Sequence, residues 1–133
     1  MGDELLGILL SYAAYFSGYP LPADMPEFRY EPHAFFVENV CGGKECNVEG
    51  WYNDTGVVYI DEKYEPLVDS FGESLVVHEF THHLQYLSKQ FGDTCADYLA
   101  REREAYFVQS RYLSEVTTLI RHAGLMRGSC KED

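Results

Sequence analysis

A run of helical periodicity beginning near residue 70 fixes how the second half of this chain must fold. Val77, Phe80, Leu84, Leu87 and Phe91 recur at alternating intervals of three and four, tracing one face of an α-helix that has to be buried. Ser70-Phe71-Gly72-Glu73 has capping-box spacing and predicts the helix start, and Gly92 predicts its end. The same helix carries His78 and His82, four residues apart and therefore on one face, about 6 Å from each other. They lie beside the apolar stripe, which predicts a place at the edge of the core, where a cleft would open. Glu79 projects about 100° around the helix from His78.

Two imidazoles at that separation can grip one ion. A carboxylate offset by one residue reaches a water next to the ion rather than the ion itself. His78-Glu79-Phe80-Thr81-His82 is thus the HExxH arrangement of metal-assisted hydrolysis, set against the plainer reading of two histidines hydrogen-bonded on an ordinary helix. Zinc in a hydrolytic site takes three protein ligands and keeps one position open. The metzincin continuation fails because Gln85 and Ser88 occupy the places its glycine and histidine would need. Asp93, in Gly92-Asp93-Thr94, is one candidate for the third ligand. A better one lies further on.

Residues 94–123 contain no proline or glycine and predict one long helix or two abutting ones. Cys95, Tyr98, Leu99, Ala105, Tyr106, Gln109 and Tyr112 or Leu113 form its inward stripe, and Glu102 falls in the middle of it. An acidic residue on a buried face is costly unless it is paired or binds a metal. Glu102 is therefore the expected third ligand. Glu104 is expected to face outward with Asp97 and Arg101.

On these residues the chain resembles the gluzincins, HExxH metallopeptidases whose third zinc ligand is a downstream glutamate. Glu102-Arg103-Glu104-Ala105-Tyr106 is similar to their E-x-x-A-[DNE] pattern except for tyrosine in the last place, where an acidic residue often orients a histidine ligand. The layout resembles minimal gluzincins and small bacterial HExxH proteins, and the similarity spans about residues 70–113. It implies a zincin-like α+β domain, a Zn2+ cofactor on His78, His82 and Glu102, and a peptide or protein substrate. Glu79 would be the general base, and a tyrosine or histidine would donate to the oxyanion. Tyr106 and Tyr112 are the tyrosines named for that donor, with His122 a further candidate among eleven tyrosines and five histidines. The resemblance also implies that Val57–Asp61 is the edge strand along the cleft, pairing with extended substrate, although an ordinary sheet strand reads equally well.

The first half has a different texture. Residues 3–17 predict a helix ended by Gly18-Tyr19-Pro20, and Pro20, Pro22 and Pro26 predict an extended linker. Residues 35–40, 48–52 and 57–61 are the strand candidates, with Asn53-Asp54-Thr55-Gly56 as the turn between the last two. The expected fold class is α+β in one domain of 133 residues: an N-terminal helix, a small antiparallel sheet, the HExxH helix and the glutamate helix.

Residues 5–16 match a signal h-region in length but follow acidic Asp3 and Glu4, so an amphipathic helix is the better reading. No apolar run is long enough to span a bilayer. A net charge of −12 argues against nucleic acid, whose phosphates need clustered Lys and Arg. Four cysteines without paired C-x2-C spacing predict disulfides, 41–46 and 95–130, in preference to a second zinc site. That predicts an oxidising compartment, periplasmic or secreted. His83 is expected to be a surface or hydrogen-bonding residue, and His33, after Pro32 and without a partner in sequence, a loop or strand residue. A rival function remains, a non-catalytic zincin-like module that binds metal without turnover. Glu79 argues against it, because such a module has no use for a general base.

Overall fold

Strand pairing across thirty positions of sequence organises the first half of the molecule, which a computed structural model describes over residues 2–89 and 91–116. In chain order the elements are α1 (Gly2–Ser17), β1 (Glu27–Glu31), α2 (His33–Asn39), β2 (Gly50–Tyr52), β3 (Val57–Asp61), a 3-10 turn (Glu62–Tyr64), α3 (Ser70–Ser88) and α4 (Cys95–Val116). The class is α+β, as expected.

The sheet differs from expectation in three ways. It is mixed rather than antiparallel, with order β1-β3-β2: β1 runs parallel to β3 and β2 antiparallel to it. Val57–Asp61 is consequently the central strand, and β2 holds the edge. Residues 33–39 are a helix where 35–40 were expected to be a strand. A seven-residue aromatic run bounded by turn residues reads equally well in either state. Here Pro32 takes the extended N-cap position, and Val40 and Cys41 both donate back to the Phe36 carbonyl. Phe36 is buried, while Phe35 lies against Tyr59 and Trp51 on the outer face of the sheet. The Cys41–Cys46 disulfide then closes the loop leading to β2. The 95–130 pairing involves residue 130, outside the described residues.

The turn at residues 53–56 forms as read. Asn53 Oδ1 accepts from the amides of Thr55 and Val57, and Asp54 and Gly56 take positive φ of 64° and 98°.

The inner sheet face supplies Tyr52, Val58 and Ile60 to the core. They meet Val76, Val77, Phe80 and Leu84 of α3, the buried edge of α1 (Leu9, Leu10, Ala13, Ala14) and Val108 and Tyr112 of α4. Helix α1 ends at Gly18, whose φ of 84° and bond to the Ala14 carbonyl make it the expected stop. Helix α3 begins one residue earlier than its capping box suggests. Asp69 is the N-cap, its Oδ1 accepting from Gly72 N, and the helix closes at left-handed Lys89 rather than at Gly92. The buried stripe accordingly stops at Leu84, and Leu87 is exposed. No helix among the described residues is long and apolar enough to cross a membrane.

Candidate metal centre

Helix α4 runs back along α3 and sets Glu102 opposite the two histidines. Glu102 Oε1 lies 3.3 Å from His78 Nε2, and Oε2 lies 2.9 Å from His82 Nε2. Donor atoms of these three residues all fall within 4.8 Å of one another, the one such group of His, Cys, Asp and Glu among the described residues. Ligands at zinc bond lengths on a tetrahedron stand about 3.3 Å apart, so the His78–Glu102 separation equals such an edge and the His82–Glu102 separation is a few tenths of an ångström shorter. Asp93 is exposed in the α3–α4 turn and takes no part.

The partners behind the histidines test whether the site suits a cation. His78 Nδ1 is 3.0 Å from Gln109 Oε1, and His82 Nδ1 is 2.8 Å from Gln85 Oε1. The amide orientations are fixed by what lies beyond them. Gln85 Nε2 donates to the main-chain carbonyl of Arg101, which can only accept, and to Glu104 Oε1. Gln109 Nε2 donates to Ser74 Oγ, whose own proton goes to the Phe71 carbonyl. Both amide oxygens must therefore face the rings, and both Nδ1 atoms must donate.

Each neutral imidazole then turns an Nε2 lone pair toward the Glu102 carboxylate. His82 Nε2 is buried without a hydrogen-bond partner although Glu102 Oε2 is 2.9 Å away, since in this tautomer a lone pair faces a carboxylate. Three electron-rich groups converging in a buried place require a cation among them, either a metal ion or an added proton. The group fits a metal.

Charge follows the same geometry. Burial would raise the Glu102 pKa, but the contacts with His78 and His82 outweigh it and hold the carboxyl well below the usual range. Burial would lower His82, but the Glu102 and Glu79 carboxylates overcome it, and its pKa is pushed up to about 9. Glu79 moves upward, chiefly through burial, with His78 and His82 opposing and Glu102 adding to the rise. Its carboxylate lies outside the ligand group and beneath Gly50 of β2.

These residues share one cleft of about 510 Å³, walled by β2 and its approach on one side and by α3 and α4 on the other. Tyr106 lines it, its ring centroid 4.6 Å from that of His78. Tyr112, the other expected donor, does not. Its hydroxyl donates to Glu73 Oε1 and its ring packs edge-on against Tyr12 in the core, nearly three turns of α4 beyond Glu102. Tyr98, one turn before Glu102, lines the cleft in its stead.

Of the other histidines, His83 falls where its plainer reading puts it, whereas His33, expected in a loop or strand, stands at the start of a helix. His83 is buried with Nδ1 2.7 Å from the Tyr52 hydroxyl, and His33 opens α2 beside Glu45. His122 lies outside the described residues. Glu104 corrects an expectation, since it turns inward to accept from Tyr19 and Gln85 instead of facing out. Gln85 and Gln109 were the residues missed. Gln109 carried the same signal as Glu102, a polar side chain on an inward stripe, seven positions further along α4.

Comparison of the chain with protein-family models, with curated proteins and with solved structures finds no match.

Proposed function

We propose that this chain is a zinc-dependent metallopeptidase of gluzincin type with a zincin-like fold, acting on peptides or proteins in the periplasm or outside the cell. The observation that carries the reading is the division of labour at the cleft. His78, His82 and Glu102 converge with both ring tautomers set by amides, while Glu79 stands next to them without joining them. Bound there, zinc would supply Lewis acidity, lowering the pKa of a water and polarising a scissile carbonyl.

Glu79 takes a proton from the attacking water at its carboxylate and delivers it to the leaving amine. Its burial raises its basicity, which favours that transfer. Tyr106 and Tyr98 line the cleft wall, and they are the tyrosines we assign as candidate donors to the carbonyl oxygen. The edge strand beside them is β2. Asp61 N donates to Glu49 O and Asn53 N to Val57 O, so the alternation of an antiparallel pair turns the main-chain groups of Gly50 and Tyr52 away from β3. Those groups can pair with an extended peptide. The Cys41–Cys46 disulfide supports an oxidising compartment.

The test is turnover of a peptide library by zinc-loaded protein, read by mass spectrometry. Cleavage that disappears in Glu79→Gln while zinc is retained supports the proposal. Absence of cleavage by the wild type, with zinc bound, leaves the non-catalytic metal-binding module as the better description.

A further inference from the structure

Gly50 opens β2, the edge strand facing the cleft, at a position where glycine has no conformational excuse. The left-handed glycines among the described residues are Gly18, Gly42, Gly43 and Gly56, and Gly50 is not one of them. A glycine inside a strand loses entropy and packs nothing. What its missing side chain provides is space. A Cβ at residue 50 would stand 3.0 Å from Glu79 Oε2 and 3.3 Å from both Glu79 Cγ and Ile60 Cδ1. Carbon and oxygen atoms in ordinary contact keep roughly 3.5 Å apart.

One of those neighbours would have to move, and they are not equally able to. Ile60 is fully buried, and its side chain is enclosed by the core. Glu79 borders the cleft, and its carboxylate turns about flexible torsions. The displaced group would be the Glu79 carboxylate. We infer that Gly50 is a positioning residue for Glu79, its absent side chain holding open the place that the carboxylate occupies. The steric assignment stands on the geometry alone. Its catalytic consequence rests on the peptidase reading.

A stability cycle tests the first part without any turnover. Gly50→Ala, Glu79→Ala and the double variant are compared with wild type in the metal-free protein by thermal unfolding. Gly50→Ala alone lowers Tm by on the order of 5 °C, the scale of a mild overpacking in a domain this size. In the Glu79→Ala background the same substitution is neutral or raises Tm, because alanine suits a strand better than glycine. An equal loss in both backgrounds overturns the assignment.

In the zinc-loaded protein, Gly50→Ala keeps stoichiometric zinc and loses about 100-fold in kcat with KM within about threefold, since the base and not the binding surface is displaced. A wild-type kcat in a variant that shows the thermal coupling overturns the positioning role. Thermal coupling in a protein whose wild type cleaves nothing upholds the steric assignment and fails the peptidase reading instead.

Discussion

Gln109→Leu removes the acceptor that fixes the His78 ring while keeping a side chain of similar bulk. Gln109 is 1% exposed and bridges His78 Nδ1 to Ser74 Oγ. Ser74 loses one donor but keeps its own bond to the Phe71 carbonyl. His78 then has no acceptor at Nδ1 among the described residues, so its Nδ1-protonated tautomer is no longer enforced and the Nε2 lone pair is less firmly held toward the metal. Removing such a partner costs about 10–100-fold in metal affinity, or about 1.4–2.8 kcal/mol. The metal-free protein also carries a buried N–H without an acceptor, worth about 1–3 kcal/mol of stability.

Competition against a chromophoric chelator measures the affinity, and 15N shifts of the imidazole nitrogens report the tautomer directly. Gln109→Glu restores an acceptor and is expected to recover zinc affinity to at least the wild-type value. If Gln109→Leu binds zinc within about twofold of wild type, the claim that the amide orients the ligand is wrong, whatever the variant does to stability.

Further outcomes follow from the same contacts. Glu102→Gln should lower zinc affinity by at least about a thousandfold, whereas Glu104→Gln, which reaches the site only through Gln85, should cost no more than about tenfold; calorimetric zinc titrations separate the two. Tyr112→Phe should leave peptide turnover unchanged and destabilise the fold by about 1–2 kcal/mol through loss of its bond to Glu73, while Tyr106→Phe, on the cleft wall, should lower turnover. Stability of the metal-free protein should depend on pH with a definite sign. His82 has a folded pKa raised to about 9, so its contribution is complete below its unfolded value near 6.5 and is lost as pH rises through 9. Glu102 has a depressed folded pKa, so its contribution is present above its unfolded value and lost as pH falls. Differential scanning calorimetry should therefore show Tm of the metal-free protein falling between pH 6.5 and 9, and a rise over that interval would contradict the pairing.

Much of the site was readable because polar residues on buried faces are rare and need a reason. His78, His82 and Glu102 stood at helical spacing, and two helices packed along their apolar stripes bring them together. The β2–β3 turn was readable because Asn53, Asp54 and Gly56 tolerate its backbone. Strand β1 was not, although Phe28 and Tyr30 alternate with charged neighbours, since its partner β3 lies thirty residues on and no local signal announces a parallel pairing. Helix α2 was lost because short aromatic runs carry no decisive period. Gln85 and Gln109 are silent in the sequence for a different reason, that burying an amide costs far less than burying a charge and so demands no charged or metal partner. Their partners lie on other elements, and only the assembled fold shows which atoms they orient.

Zinc-edge X-ray absorption on protein loaded to saturation, with metal content measured on the same sample, bears most directly on the central claim. The account predicts one zinc per chain, bound by two imidazoles and oxygen donors with no sulfur, and lost in Glu102→Gln. Sulfur in the coordination sphere, or a saturated site that Glu102→Gln leaves intact, would contradict it.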